Sequence, residues 1–153
     1  MQKLKTLALL LLIAVFPALA TVTLPVEVIG PNGYYVSEVA NIPSGSVLTG
    51  AYLWLKIHGL RFDNQAYVKV NSSSWIPINS TYANLTGNGA IYGGIGGGFS
   101  TLTMYVPLAS GTVTTGNNTF SFYFSGTDGR VSGFRVLSFN AINSSGTSLI
   151  PNS

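Results

Sequence analysis

Ala51-Tyr52-Leu53-Trp54-Leu55-Lys56-Ile57-His58 is the stretch that decides the fold. Four apolar residues alternate in it, without a break, with four larger or polar ones: Ala51, Leu53, Leu55 and Ile57 against Tyr52, Trp54, Lys56 and His58. Successive side chains of a β-strand point to opposite faces, so this period of two predicts a strand with one face in a core. The other face would point outward and carry the aromatic, basic and histidine side chains.

The same alternation recurs on both sides of this strand. It is clearest over Ala66 to Val70, Ser100 to Val106, Phe120 to Phe124 and Gly133 to Ile142. Turn signals rich in glycine, asparagine and serine separate these segments, and nothing after residue 20 shows a sustained helical period. Eight or nine strands predict an all-β fold, an antiparallel β-sandwich of jelly-roll type. Its interior is predicted to include Leu53, Leu55, Ile57, Val68, Val70, Leu102, Met104, Phe120, Phe122 and Phe124.

The first twenty residues have the pattern of a cleaved signal peptide. Lys3 and Lys5 precede an apolar run of ten residues, Leu7 to Phe16, and Ala18-Leu19-Ala20 supplies a small-residue cleavage site. We therefore predict a signal peptide at 1–20, a sandwich domain at 21–142 and a polar tail or start of a linker at 143–153. The protein would then be secreted or periplasmic, with no membrane span after cleavage.

Charge and cysteine content exclude several classes of function. Without Lys3 and Lys5, five basic residues face four acidic ones, a net charge of +1. That is too little for a nucleic-acid surface, so nucleic acid is not an expected partner. The chain has no cysteine, which excludes thiol catalysis, cysteine-bound zinc and covalent haem attachment within it.

A glycine-rich stretch, Tyr92 to Phe99, holds five glycines in six positions between two aromatic residues. It lacks the lysine of a phosphate-binding P-loop, and no helix is predicted after it. Two interpretations stay open. It is either a tight crossover that lets two strands approach closely, or a ligand-facing loop with Tyr92 or Phe99 as a stacking surface.

Outward-pointing aromatic residues are the second candidate binding feature. Tyr52, Trp54 and Lys56 lie on one strand, and further outward residues are predicted on other strands: Tyr67, Lys69, Tyr105 and Tyr123. Sugar rings stack their apolar faces on aromatic side chains while their polar edges take hydrogen bonds. The alternative is that these aromatics pack under loops or under a neighbouring domain.

Three loops are predicted to cluster at one end of the sandwich: His58–Asp63, Tyr92–Phe99 and Asp128–Gly133. We expect Arg61 or Arg130 to pair with Asp63 or Asp128, close to Tyr92.

The chain has one histidine and no G-x-S-x-G elbow, so no catalytic residue is predicted. No cofactor or resident metal is predicted either, although a structural calcium at these acidic loops stays open. The predicted ligand-binding residues are Trp54, His58, Arg61, Asp63, Tyr92, Asp128 and Arg130.

Several short motifs in order resemble the galactose-binding-domain-like jelly rolls that accompany secreted glycosidases. They are a strand ending in Val70-Asn71, a later Gly-Gly-aromatic loop and Gly116-Asn117-Asn118-Thr119-Phe120. The likeness covers roughly Leu48 to Ile142, and Ser72 stands where those domains usually have glycine. It implies a jelly-roll fold and a carbohydrate ligand.

A second resemblance is to bacterial exported proteins in which a β domain often precedes a c-type cytochrome domain. It is carried by His58-Gly59-Leu60-Arg61-Phe62, by Tyr92 to Phe99, and by the ten residues Asp128 to Leu137. These residues contain no Cys-x-x-Cys-His haem-attachment motif, so the haem domain that the resemblance implies is either absent or lies beyond Ser153.

Together these observations predict an exported, non-catalytic binding or accessory domain whose ligand is a carbohydrate or cell-wall glycan. A structural docking domain of a longer c-type cytochrome protein is the alternative. A glycosidase is a third possibility, and it would need two carboxylates at a set separation.

Overall fold

The computed structural model describes residues 21–60, 65–79, 84–86, 101–126 and 132–151. Within these ranges the chain forms nine β-strands and no helix. The strands are β1 (Val26–Gly30), β2 (Tyr35–Ile42), β3 (Tyr52–His58), β4 (Ala66–Val70), β5 (Ile76–Pro77), β6 (Asn84–Thr86), β7 (Thr101–Pro107), β8 (Gly116–Phe124) and β9 (Ser132–Ile142). No helix in the described ranges has the length and apolar character needed to cross a membrane.

Two antiparallel sheets form a sandwich, as the sequence predicted. One sheet has five strands in the order β1-β9-β3-β7-β6, and the other has four in the order β2-β8-β4-β5. The strands pair from the two ends of the chain inward: β1 with β9, β2 with β8, β3 with β7 and β4 with β5. β6 is a strand of three residues that the alternation pattern did not reveal, and it pairs with β7.

The core lies between the sheets and consists of the inward residues of the alternating strands. All ten predicted interior residues are buried, from Leu53 on β3 to Phe124 on β8. The aromatic centre joins the two sheets, because the Phe139 ring of β9 lies 5.0 Å from Phe120 and 5.5 Å from Phe122 of β8 (centroid distances). Removal of any of these rings would open a cavity that both sheets border.

A bulge in β9 explains why its alternation is imperfect. Ile57 pairs with Val136 and Lys56 with Ser138, so one residue, Leu137, is extra on β9. Such an insertion bends the strand and lets Val136 and Phe139 both face the core.

Gly133 marks a close approach of β1 and β9. Its φ is 152°, and a Cβ there would overlap the carbonyl oxygen of Val28. The glycine in the motif Ser132-Gly133-Phe134 is therefore required by the pairing of two strands.

The segment from Asn143 onward packs against the sandwich over its described part. Ile142 forms a β-bridge with Ser148, and Leu149 and Ile150 are buried. The Asn143 side chain organises the turn, since its Oδ1 accepts hydrogen bonds from the backbone N–H groups of Ser145 (3.0 Å) and Thr147 (2.9 Å). These side-chain bonds turn the chain back onto the sandwich.

Candidate functional site

The outward aromatic residues are divided between two opposite faces of the sandwich. The outer face of the five-stranded sheet, called the Trp54 face below, carries Tyr52, Trp54, Lys56, Thr103, Tyr105, Ser138 and Asn140. The outer face of the four-stranded sheet, called the groove face, carries Tyr35, Ser37, Tyr67, Lys69, Thr119, Ser121 and Tyr123, with Trp75 beside them. The seven residues noted in the sequence therefore cannot form one binding surface.

An open groove of about 740 Å³ lies on the groove face. Its lining combines aromatic rings with hydroxyl, amide and ammonium groups: Gly33, Tyr35, Ser37, Lys69, Asn71, Trp75, Thr119, Ser121 and Tyr123. A volume of this size falls within the range of small-ligand sites, and its polar lining distinguishes it from an apolar packing defect.

An aromatic row crosses three strands of this face. Tyr35, Tyr123 and Tyr67 are register neighbours on β2, β8 and β4. The Tyr123 ring lies 5.5 Å from Tyr67 and 5.4 Å from Trp75. Trp75 keeps 38% of its surface exposed and Tyr35 keeps 62%, although aromatic side chains usually find burial favourable. The row thus offers exposed ring surface to a ligand.

A polar row runs parallel to the aromatic row, two residues away along each strand. Ser37, Ser121 and Lys69 are cross-strand neighbours, and the two serine hydroxyls share a hydrogen bond of 2.8 Å. The Lys69 ammonium lies 4.8 Å from the centre of the Trp75 ring, within the range of a cation–π contact. The lysine therefore connects the two rows.

Two asparagines hold the polar end of the groove in place. Asn71, whose φ is 54°, donates through Nδ2 to Asn118 Oδ1 and to the Thr112 carbonyl oxygen, both at 2.9 Å. Its Oδ1 accepts a 2.9 Å bond from the Thr119 N–H. Asn118 is fully buried and bonds the loop through the Thr114 N–H (2.9 Å) and carbonyl (2.7 Å). Because buried amides need such partners, the network fixes the end of β4 and hence the neighbouring Lys69.

The asparagines of this network belong to two of the short motifs noted in the sequence. Asn71 comes from Val70-Asn71, and Asn118 from Gly116-Asn117-Asn118. Their hydrogen bond shows that these motifs, 47 positions apart, meet at one end of the groove. Their role here is to join the end of β4 to the loop at Thr112 and Thr114.

The Trp54 face is organised differently. Trp54 is half-buried between its register neighbours Tyr105 and Asn140, and Tyr105 makes an edge contact with Tyr52 at 5.4 Å. The buried Asn140 side chain is occupied by the tail, since Nδ2 donates to the Ile150 carbonyl (2.8 Å) and Oδ1 accepts from the Ile150 N–H (3.0 Å). The tail therefore lies against the residue next to Trp54.

His58 takes part in cross-strand contacts at the end of β3. Its Nδ1 is 3.1 Å from the Thr101 hydroxyl, and its other register neighbour, Arg135, forms an exposed ion pair with Glu27 at 2.7 Å. These contacts tie His58 to both neighbouring strands, and its predicted role at a ligand site stays a prediction.

The other five predicted ligand-binding residues, Arg61, Asp63, Tyr92, Asp128 and Arg130, lie outside the described residues. So do the glycine-rich loop and the proposed pairing of Arg61 or Arg130 with an aspartate, and these stay predictions. In the described ranges no three His, Cys, Asp or Glu residues group as metal ligands would.

Trp75 and Tyr35 are the aromatic residues of the groove that the sequence did not reveal, and the groove serines, Ser37 and Ser121, were not revealed either. Trp75 precedes a strand of two residues, too short to show alternation. Tyr35 becomes significant only through its pairing with Tyr123, 88 positions later. An outward residue at every second position of both β2 and β8 was the available signal, but it does not give the register between them.

Comparison with known proteins yields no match: no family model, no curated protein and no solved structure corresponds to the chain.

Proposed function

We propose that the protein is an exported, non-catalytic carbohydrate-binding module of jelly-roll type and that its ligand site is the groove face. The observation that carries the proposal is the pairing of an exposed aromatic row with a parallel polar row. A pyranose ring has an apolar face and a polar rim, so it requires both kinds of surface side by side. Trp75 and Tyr123 would take the ring face, and Ser37 and Lys69 its hydroxyl groups.

The order of strand pairing supports the jelly-roll assignment. When the short β6 is left out, the pairs β1–β9, β2–β8, β3–β7 and β4–β5 nest as in one long hairpin. Such a hairpin rolled into two sheets gives the eight-stranded arrangement of a jelly roll. The residues at 1–20 support export, and an N-terminus at Thr21 in the secreted protein, read by mass spectrometry, would test it.

The groove face is preferred to the Trp54 face for a geometric reason. Both have aromatic rings, but Asn140, the neighbour of Trp54, already uses its amide to bind the tail. On the groove face the polar groups next to the rings line an open volume. We therefore place the site at Trp75 rather than at Trp54.

A glycan array probed with the protein spanning 21–153 tests the proposal. The wild type is expected to bind at least one glycan class, and Trp75→Ala to weaken that binding about ten-fold or more, the loss typical of a central aromatic contact. Trp54→Ala is the matched control, because it removes the same side chain from the opposite face. Equal losses in the two variants, or a loss only in Trp54→Ala, would refute the groove site.

A protein that binds no glycan on the array would favour the alternative of a docking domain next to a cytochrome domain. In that case the groove face would be an interface with the neighbouring domain. Incubation of bound glycans followed by product analysis tests the third possibility, a glycosidase, because a binding module leaves its ligand uncut.

A further inference from the structure

We propose that the groove selects an anionic glycan, one whose sugars carry carboxylate or sulfate groups, and that Lys69 is the residue that selects it. The inference deepens the proposed function and rests on it. Its basis is the charge of the groove face. Carbohydrate binding in general is proposed from a different observation, the aromatic row beside the polar row.

Lys69 is the one charged residue among the described residues that line the groove. The ion pair found in the described ranges, Arg135 with Glu27, is made by residues of β9 and β1 in the other sheet. No carboxylate in the described ranges pairs with Lys69, so its charge is not neutralised by the protein there. An unneutralised ammonium inside a groove favours a ligand of opposite charge.

The position of the ammonium is restrained by the ring below it. Its contact with Trp75 at 4.8 Å holds it at the side of the aromatic row. A restrained cation loses less conformational freedom when it binds an anion than a freely rotating lysine does. The cation–π contact thus prepares Lys69 for a charged hydrogen bond to the ligand.

The spacing of the rows fits a charged substituent of a stacked sugar. Tyr67 and Lys69 are two residues apart on β4, which corresponds to about 7 Å along a strand. A sugar ring stacked over Tyr123 and Trp75 would project its ring substituents across this gap. A carboxylate on such a ring, or a sulfate on one of its hydroxyls, would then face the ammonium and the hydroxyls of Ser37 and Ser121.

The width of the groove face favours a chain over a single sugar. Tyr35 lies on the edge strand β2, and Trp75 comes just before β5 at the other edge. Three strand spacings separate these edges, about 14 Å in all, which is longer than one pyranose ring. The occupant is therefore an anionic polysaccharide segment that crosses the strands.

Pairs of polymers that differ only in charge test whether the groove selects an anionic glycan. Polygalacturonate, polyglucuronate and alginate are each compared with their carboxyl-reduced forms, and a sulfated galactan with its desulfated form, by titration calorimetry. Each pair keeps the backbone and linkages and differs in charge. We expect at least one anionic polymer to bind about ten-fold or more tightly than its neutral partner, the effect of one hydrogen bond between charged groups. Whether that polymer carries carboxylates or sulfates identifies the anionic group.

Three lysine variants test whether Lys69 is the residue that causes the preference for the charged polymer. Lys69→Gln should bind the charged and neutral forms equally, and Lys69→Arg should keep the preference for the charged form. Lys56→Gln, which removes a lysine from the Trp54 face, should behave as the wild type. A preference that survives Lys69→Gln, or that Lys56→Gln abolishes, would overturn the assignment.

The two proposals fail in different ways. If neutral and anionic polymers bind equally and Trp75→Ala abolishes both interactions, carbohydrate binding stands and the selection by Lys69 is wrong. If no polymer binds while the array shows another, neutral glycan bound, carbohydrate binding stands and the anionic selection is wrong. If neither the polymers nor the array show binding, the proposed function itself is wrong.

Discussion

The two outer faces of the sandwich contain similar residues and differ in what surrounds them. Each has a tryptophan and a lysine: Trp54 with Lys56, and Trp75 with Lys69. Beside Trp54, the tail occupies the amide of Asn140. Beside Trp75, the ammonium lies over the ring and the neighbouring hydroxyls line an open groove. The two faces therefore have a similar composition, and the cross-strand arrangement is what distinguishes the proposed binding face from the Trp54 face.

The largest expected loss of stability comes from a change in the core that the two sheets share. Phe139→Ala removes the ring that contacts Phe120 and Phe122 across the sheets, and it should lower the free energy of unfolding by about 3–5 kcal/mol. Denaturant unfolding measures the loss. Because this ring supports both faces, both tryptophans should become exposed in one transition, and separate transitions would show that the faces belong to independent units.

Gly133→Ala tests whether one sheet can be damaged without the other. A methyl group at this position, with φ at 152°, would overlap the Val28 carbonyl oxygen and force β1 away from β9. We expect a loss of about 2–4 kcal/mol, from backbone strain and crowding together. The variant that stays folded should keep the glycan affinity of the groove face. An unchanged unfolding free energy would mean that the strands do not approach so closely.

Asn140→Ala tests the claim that the tail covers the region beside Trp54. The substitution leaves the Ile150 N–H and carbonyl without their side-chain partner, at an expected cost of about 1–3 kcal/mol. Hydrogen exchange at Ile150 should become faster, since its amide loses that acceptor. Unchanged protection at Ile150 would contradict the contact, and the Trp54 face would then be as accessible as the groove face.

Much of the fold could be predicted from the sequence because alternation is a local property. The strand at Ala51–His58 and the ten interior residues follow from a period of two. The tail could not be predicted, because its polar composition conceals the hydrogen bonds that Asn143 and Asn140 make with backbone groups nearby. Polar residues bound to the backbone and polar residues in water have the same sequence pattern.

The candidate site was less accessible to sequence reasoning, for a physical reason. Its rows run across strands, so Tyr35, Tyr123 and Tyr67 meet only after the register of three strands is set. The sequence supplied the outward direction of Tyr67, Lys69 and Tyr123 but not the sheet to which each belongs. Register depends on pairing between distant strands, which the local sequence pattern of one chain does not specify.

The smallest expected effect concerns the exposed pair of Arg135 and Glu27. These side chains are 41% and 48% exposed, so water and salt screen their attraction. Glu27→Gln should change the unfolding free energy by at most about 1 kcal/mol, and less at high salt. A larger loss would show that the edge of the five-stranded sheet depends on charge.

The most direct test of the central claim uses the two tryptophans of the chain, one on each face. In a spectrum of 15N-labelled protein, each gives one indole N–H signal, which Trp54→Phe assigns. Titration with the glycan selected by the array should shift the Trp75 signal progressively and leave the Trp54 signal in place. A shift of the Trp54 signal with Trp75 unmoved would contradict the assignment of the site to the groove face.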